Sequence, residues 1–217
     1  MSNPSPILSL SVRVDGTQLD LGVEVTNTHD EPIFLMVFLD DSFGLLGNEA
    51  RPFSTSDCPP TKSLAYVFFQ GPQTALILSG DSPLPNNVSM YAPRRPYGLR
   101  LESGKTFSNT FSFKTPLLEW YAYNPPTQEG TAAEEISQIR YRLAWIASSL
   151  AKNVSEFPGH PNIWRVSGLP SVVEGTCVLT NSVPLLRRTD PGFERPRDNE
   201  ARIQSGPPPH GVFPLMK

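Results

Sequence analysis

The sequence predicts an all-β protein, an antiparallel two-sheet β-sandwich with long loops, and three observations predict it. Apolar and polar residues alternate with period two over several short runs. Turn residues punctuate those runs at close spacing. The 217 residues include 24 prolines, about twice average usage, and proline stops helices while suiting turns and sheet edges. With 38% hydrophobic residues the chain has apolar surface enough for one generous domain core.

The opening stretch "LSLSVRVDGTQLDLGVEVTN" is a β-hairpin. Leu8, Leu10, Val12 and Val14 alternate with small or polar residues, Asp15-Gly16 supplies the two-residue turn, and Leu19, Leu21, Val23 and Val25 alternate again. Ser9, Ser11, Arg13, Asp20, Glu24 and Thr26 then share a face in water. After "NTHDEP" comes "IFLMVFL", apolar on both faces, which reads as a central strand covered on both sides. Residues 41–62 have no period and read as a long loop. "LAYVFFQ", a Gly71-Pro72 turn and "TALILS" form a second hairpin.

Residues 80–96 are again loop-like. "YGLRL", a Ser103-Gly104 turn and "KTFSNTFSFK" follow as two strands, the second alternating Phe107, Phe111 and Phe113 with Ser108, Thr110 and Ser112. "IWRV" and "SVVEGTCVLTNSVPLL" add one or two more.

Residues 131–151, "TAAEEISQIRYRLAWIASSLA", admit two periods. A helix would place Ile136, Ile139, Leu143, Ile146 and Leu150 on one stripe, with a capping box from Thr131 to Glu134. It would also turn Tyr141 and Trp145 to water. A strand buries both aromatics with Ile139 and Leu143 and leaves Arg140 and Arg142 outside. The expectation is a short helical turn near 131–137 and a strand over 138–147.

The order of hairpin, "VTNTHDEPIFL", turn-rich middle, "LESGKTFSNTFSF" and "IRYRLAW" resembles the immunoglobulin-like β-sandwich modules of many bacterial proteins. In them an Asn-containing turn leads into an apolar strand, and a Gly-containing turn leads into a late Phe-rich strand. The resemblance covers about residues 7–183 and implies a fold and no activity. It divides the chain into a sandwich domain, 1–183, and a proline-rich extended C-terminal arm, 184–217.

The formal net charge is −3, with 12 Lys/Arg against 17 Asp/Glu before residue 184 and 6 against 4 from there on. No dense basic face exists for a phosphate backbone, so nucleic acid is not an expected partner. The first residues lack the pattern of a secretory signal. The longest apolar run, Ile33 to Leu39, falls far short of the roughly 20 residues of a membrane-spanning helix. A cytoplasmic protein is expected, with Cys58 and Cys177 as free thiols.

Chemistry-bearing constellations are sparse. Of His29, His160 and His210, only His29 has a conceivable arrangement, with Cys58 and Asp30, and a solvated turn histidine is the preferred reading. No His or Cys stand at metal-ligand spacing, no phosphate-cradling glycine string occurs, and no cofactor is expected. Neither the Asp40-Asp41 nor the Glu134-Glu135 pair reads as a catalytic dyad, since neighbours on a strand face opposite ways. Trp120, Tyr121 and Tyr123, beside Pro125-Pro126, offer a flat platform for a glycan or proline-rich peptide, or else cap the sandwich.

The arm combines seven prolines and mixed charge with spaced apolar anchors. Phe193, Ile203, Val212, Phe213, Leu215 and Met216 suit docking on a partner, and Arg187, Arg188, Arg195, Arg197 and Arg202 suit acidic surface. The leading expectation is a non-catalytic structural or adaptor subunit of a multiprotein assembly, binding protein partners through the arm, the sheet edges or the 41–62 loop. The alternatives are a ligand-binding module on the aromatic platform and a Cys58-dependent enzyme.

Overall fold

In the computed structural model the described residues are 5–38, 65–79, 97–119, 131–157, 161–189, 193 and 195. The alternation that opens the chain becomes a hairpin: β1 (Ile7–Asp15) runs antiparallel to β2 (Gln18–Thr26), with Ile7 opposite Thr26 and Asp15 opposite Gln18. The turn is Gly16-Thr17, one position later than expected. Gly16 adopts φ 57°, and a first turn residue with positive φ favours glycine over aspartate. On its other edge β2 pairs with β7 (Thr106–Lys114), completing a three-stranded sheet. The inward row of β2, Leu19, Leu21, Val23 and Val25, is wholly buried.

Among the described residues the second sheet has nine strands. Beyond β3 (Ile33–Phe38), they are β4 (Ala65–Gly71), β5 (Thr74–Ser79), β6 (Tyr97–Leu101), β8 (Leu117–Leu118), β9 (Thr131–Ala147), β10 (Lys152–Glu156), β11 (Ile163–Ser167) and β12 (Ser171–Arg188). Their order is β10-β11-β6-β3-β9-β12-β8, and the β4-β5 hairpin joins β9 through β5. The chain is thus all-β with two sheets. The larger sheet is mixed rather than purely antiparallel, because β5 runs parallel to β9 and β8 parallel to β12.

As its apolar run predicts, β3 lies between β6 and β9 and is buried on both faces. Ile33, Leu35 and Val37 join the main core between the sheets, while Phe34 and Met36 pack with Ala144, Ile146 and Val166 in a second cluster.

No helical turn occurs at 131–137. Residues 131–136 pair with Arg188–Val183 of β12, and Ile136 is 0% exposed. The helix preference of alanine and glutamate amounts to tenths of a kcal/mol per residue; a paired ladder and a buried isoleucine outweigh it. The two periods in this stretch have a structural cause. Ile136 and Ile139 both reach the core although a regular strand would send them to opposite faces. Between them the backbone N–H groups of Ser137 and Gln138 both donate to the Gln73 carbonyl, at 2.9 and 3.0 Å. Two successive donors on one acceptor mark a bulge, and the extra residue resets the alternation. Beyond it Ile139, Tyr141, Leu143 and Trp145 face inward, and Arg140 and Arg142 lie on the other face, both hydrogen-bonded to Glu174. A single 3-10 turn, Ser148–Leu150, ends the strand.

Two polar residues join the sheets at one end. Asn27, buried after β2, donates from Nδ2 to the Glu31 and Leu101 carbonyls (2.9 and 3.0 Å) and accepts the His29 N–H at 2.9 Å. Its backbone bonds Lys105 and Gly104 in the β6-β7 turn. Glu31 accepts from the hydroxyls of Ser148 and Ser149 and the Ser149 N–H, all at 2.7 Å. The Ser148 and Ser149 hydroxyl bonds hold its carboxyl below the usual range.

Replacing Asn27 with Ala leaves buried backbone groups without partners and should cost about 2–3 kcal/mol in denaturant unfolding. Glu31 carries the opposite pH signature from a buried neutral acid. Its depressed folded-state pKa stabilises the protein above about pH 4.5, and the gain is lost as pH falls through the folded value. The stability gap between the native chain and Glu31→Gln should therefore be widest near neutrality and close in acid, as thermal melts across pH will show.

Candidate functional site

The best-defined polar site lies where the arm leaves the sheet. β12 does not stop at Val183 but continues to Arg188, so residues 184–188 remain part of the ladder with β9. After β7 and the cis Thr115–Pro116 peptide, β8 runs beside Leu185 and Leu186, and the Glu119 N–H donates to the Leu186 carbonyl at 3.1 Å. That contact aims the Glu119 side chain into the junction between β4 and β12, where it is 0% exposed.

Four donors meet this carboxylate. Oε1 accepts the Phe69 N–H and Arg195 Nε, both at 2.7 Å. Oε2 accepts the Arg188 N–H at 2.7 Å and Arg195 Nη2 at 2.6 Å. Arg195 Nη2 also donates to the Arg188 carbonyl at 2.7 Å. A carboxylate withdrawn from water is costly unless its lone pairs are filled and a cation is present. Here both conditions hold, and the cation comes from the arm in the bidentate geometry that guanidinium favours.

Phe193 is buried beside this ion pair, its ring centroid 6.3 Å from that of Phe68. The guanidinium carbons of Arg188 and Arg195 lie 5.1 and 5.2 Å from its centroid, within cation–π range. Arg187 faces the other way along the strand. It lies over Phe69 at 5.3 Å and forms an ion pair with Glu134 at 3.1 Å.

Three of the arm residues picked out from sequence, Arg188, Phe193 and Arg195, thus gather around Glu119, Arg187 lies on the other face of β12, and all four contact their own chain. Ile203, Val212, Phe213, Leu215 and Met216, and the platform residues Trp120, Tyr121 and Tyr123, lie outside the described residues, as do Cys58, His160 and His210. Glu119, the centre of the cluster, was not picked out. Its one sequence signal is a lone acid between "PLL" and "WYAY", with an arginine-rich tail to match it.

His29 is not a solvated turn residue. It is 3% exposed, its ring centroid 4.8 Å from that of Trp145, because the Asn27 and Ser103 bonds to its backbone turn it inward. Asp30 beside it is exposed. Burial pushes the Cys177 thiol up, which keeps it protonated near neutral pH. Among the described residues no group of three or more His, Cys, Asp or Glu is placed to hold a metal ion. The outer face of the small sheet carries a shallow polar depression of about 520 Å³ above Gly22, bordered by Ser9, Ser11, Glu24, Ser108 and Thr110.

The fold and this site define an all-β, two-sheet protein whose C-terminal segment is clamped to the larger sheet by a buried ion pair. Comparison with protein-family models, curated proteins and solved structures gives no match to any of them.

Arg195→Ala leaves the Glu119 charge buried without its cation. The cost should be about 2 kcal/mol, below that of a fully enclosed pair because the Arg195 side chain keeps 30% of its surface exposed. Glu119→Ala should in addition speed amide hydrogen exchange at both Phe69 and Arg188, whose N–H groups lose their acceptor; unchanged exchange at Arg188 would contradict the clamp.

Proposed function

We propose that this protein is a non-catalytic structural or adaptor subunit, a cytoplasmic immunoglobulin-like β-sandwich that binds protein partners through its C-terminal arm. The observation that carries this reading is the clamp of Arg195 on Glu119. A solubilising tail gains nothing from a root tied to the sheet by a desolvated ion pair. A docking segment gains a fixed point of departure, which lowers the chain entropy lost on binding. Beyond that root the sequence supplies Ile203, Val212, Phe213, Leu215 and Met216, spaced by polar and proline residues in the manner of a peptide ligand.

The immunoglobulin-like assignment is supported by one core shared between two sheets and by the joined Asn27 and Gly104 turns. The parallel β5-β9 and β8-β12 pairs are its departure from an antiparallel module.

A chain ending at Arg195 keeps the clamp and every described element. It should melt within a few degrees of the full chain yet lose the partners that the full chain retains from a native lysate, as scored by mass spectrometry. The same partners on both baits would sink the arm's role.

A further inference from the structure

The two sheets differ in how their edges are closed to other chains. In the larger sheet β10 is short, charged at Lys152 and Glu156, and irregular in register. β8 has two residues. On β4 the Phe69 N–H is taken by Glu119. β12 breaks register between Val178 and Val183. In the small sheet, β7 sets Asn109 in its inward row, opposite Val23, and ends in Lys114. Charge, shortness, bulges and inward polar groups are the usual protections of a strand edge. β1 is not short, bulged or set with an inward polar group: it is nine residues long and in unbroken register with β2, and its two charges, Arg13 and Asp15, lie at its turn end and pair with each other at 3.0 Å. Among the described residues no strand is hydrogen-bonded to its other edge, while β12 packs against its inward face with Gly175 beside Leu8 and Leu10.

The hairpin decides which β1 groups face that side. The two-residue turn is closed by the hydrogen-bonded pair of Asp15 and Gln18, so odd-numbered β1 residues bond β2. Even-numbered ones, Leu8, Leu10, Val12 and Val14, direct N–H and C=O to the open edge. The same four side chains form the inward row, and all four are only half-buried against the core, unlike the sealed row of β2 beside them. An unpaired backbone edge and an unfinished apolar row therefore coincide.

We infer that β1 pairs antiparallel with β1 of a second copy, about a twofold axis at Ser11. This inference is independent of the arm. In that register Leu10 meets Val12 and Leu8 meets Val14 of the other copy, even with even, so every facing pair can exchange both of its main-chain hydrogen bonds, roughly eight in all. The half-buried row is completed by its own repeat. Arg13 stands opposite Ser9, and the two Arg13 residues are about 13 Å apart along the strand, which removes the charge clash. The interface is self-complementary, as twofold symmetry requires.

Sedimentation velocity of the full chain over a wide concentration range tests this, with each variant's fold checked by circular dichroism. The native chain should be a dimer. Leu10→Pro removes an N–H that β2 does not use and should raise the dimer Kd roughly a hundredfold. Ser11→Lys, which places like charges at the axis, should give monomer even where the proline disturbs the strand. Under oxidation Ser11→Cys should yield a disulfide dimer, since facing Cα atoms in a non-hydrogen-bonded pair stand about 4.5 Å apart. Ser9→Cys should not. A native chain that stays monomeric throughout, or a dimer indifferent to Leu10→Pro and Ser11→Lys, would overturn the inference. The chain ending at Arg195 should still dimerise, so loss of partner binding and loss of self-association are read separately.

Discussion

The ladder between β9 and β12 is the interaction on which the other contacts depend. It joins residues 131–145 to 171–188 and is the longest among the described residues. On the opposite edge of β9, two strands share the space: β5 runs parallel to its middle and β3 antiparallel to its end. β12 in turn supports β8 and presents Val173, Cys177 and Leu179 to the small sheet. Taking away β12 would therefore expose the core along its whole length, because both sheets meet over these two strands.

A ladder of this length must reconcile its register with the demands of the core. It does so at two places. The bulge at Ser137-Gln138 keeps Ile136 and Ile139 on one face, and β12 answers with its own irregularity between Val178 and Val183. Past these points the strands continue far enough to meet Glu119. The carboxylate can then satisfy an edge N–H of β4 and a terminal N–H of β12 together, with Arg195 supplying the charge that makes its burial tolerable.

Much of the fold was legible because its strands carry simple patterns. β2 buries the row that alternation assigns to the core and β1 and β7 turn theirs inward, while the unbroken apolar runs of β3, β4 and β5 are buried on both faces. What escaped was set by tertiary contacts. Residues 131–137 carry helix-favouring alanine and glutamate, and the i, i+3 spacing of Ile136 and Ile139 imitates a helix; only the Gln73 carbonyl across the sheet shows it to be a bulge. β8 and β10 were missed because two leucines, or five exposed residues, carry no period. At the candidate site the arginines and Phe193 were legible as docking chemistry. Glu119 was not, since nothing local distinguishes a buried acid from a surface one until its four donors arrive from residues 69, 188 and 195.

The chain order of these elements bears on how the protein is made. By Lys114 the ribosome has delivered the whole three-stranded sheet, whose contacts are with near neighbours or across one long excursion. The larger sheet has no such early completion. β3 emerges with apolar side chains on both faces, yet β9 arrives about a hundred residues later, and β9 in turn waits for β12. For most of synthesis the stickiest strand is without the neighbours that cover it. Such long-range closure is slow, and nascent chains with an uncovered strand are open to misassociation. Covering β3 therefore depends on strands that come much later in the sequence.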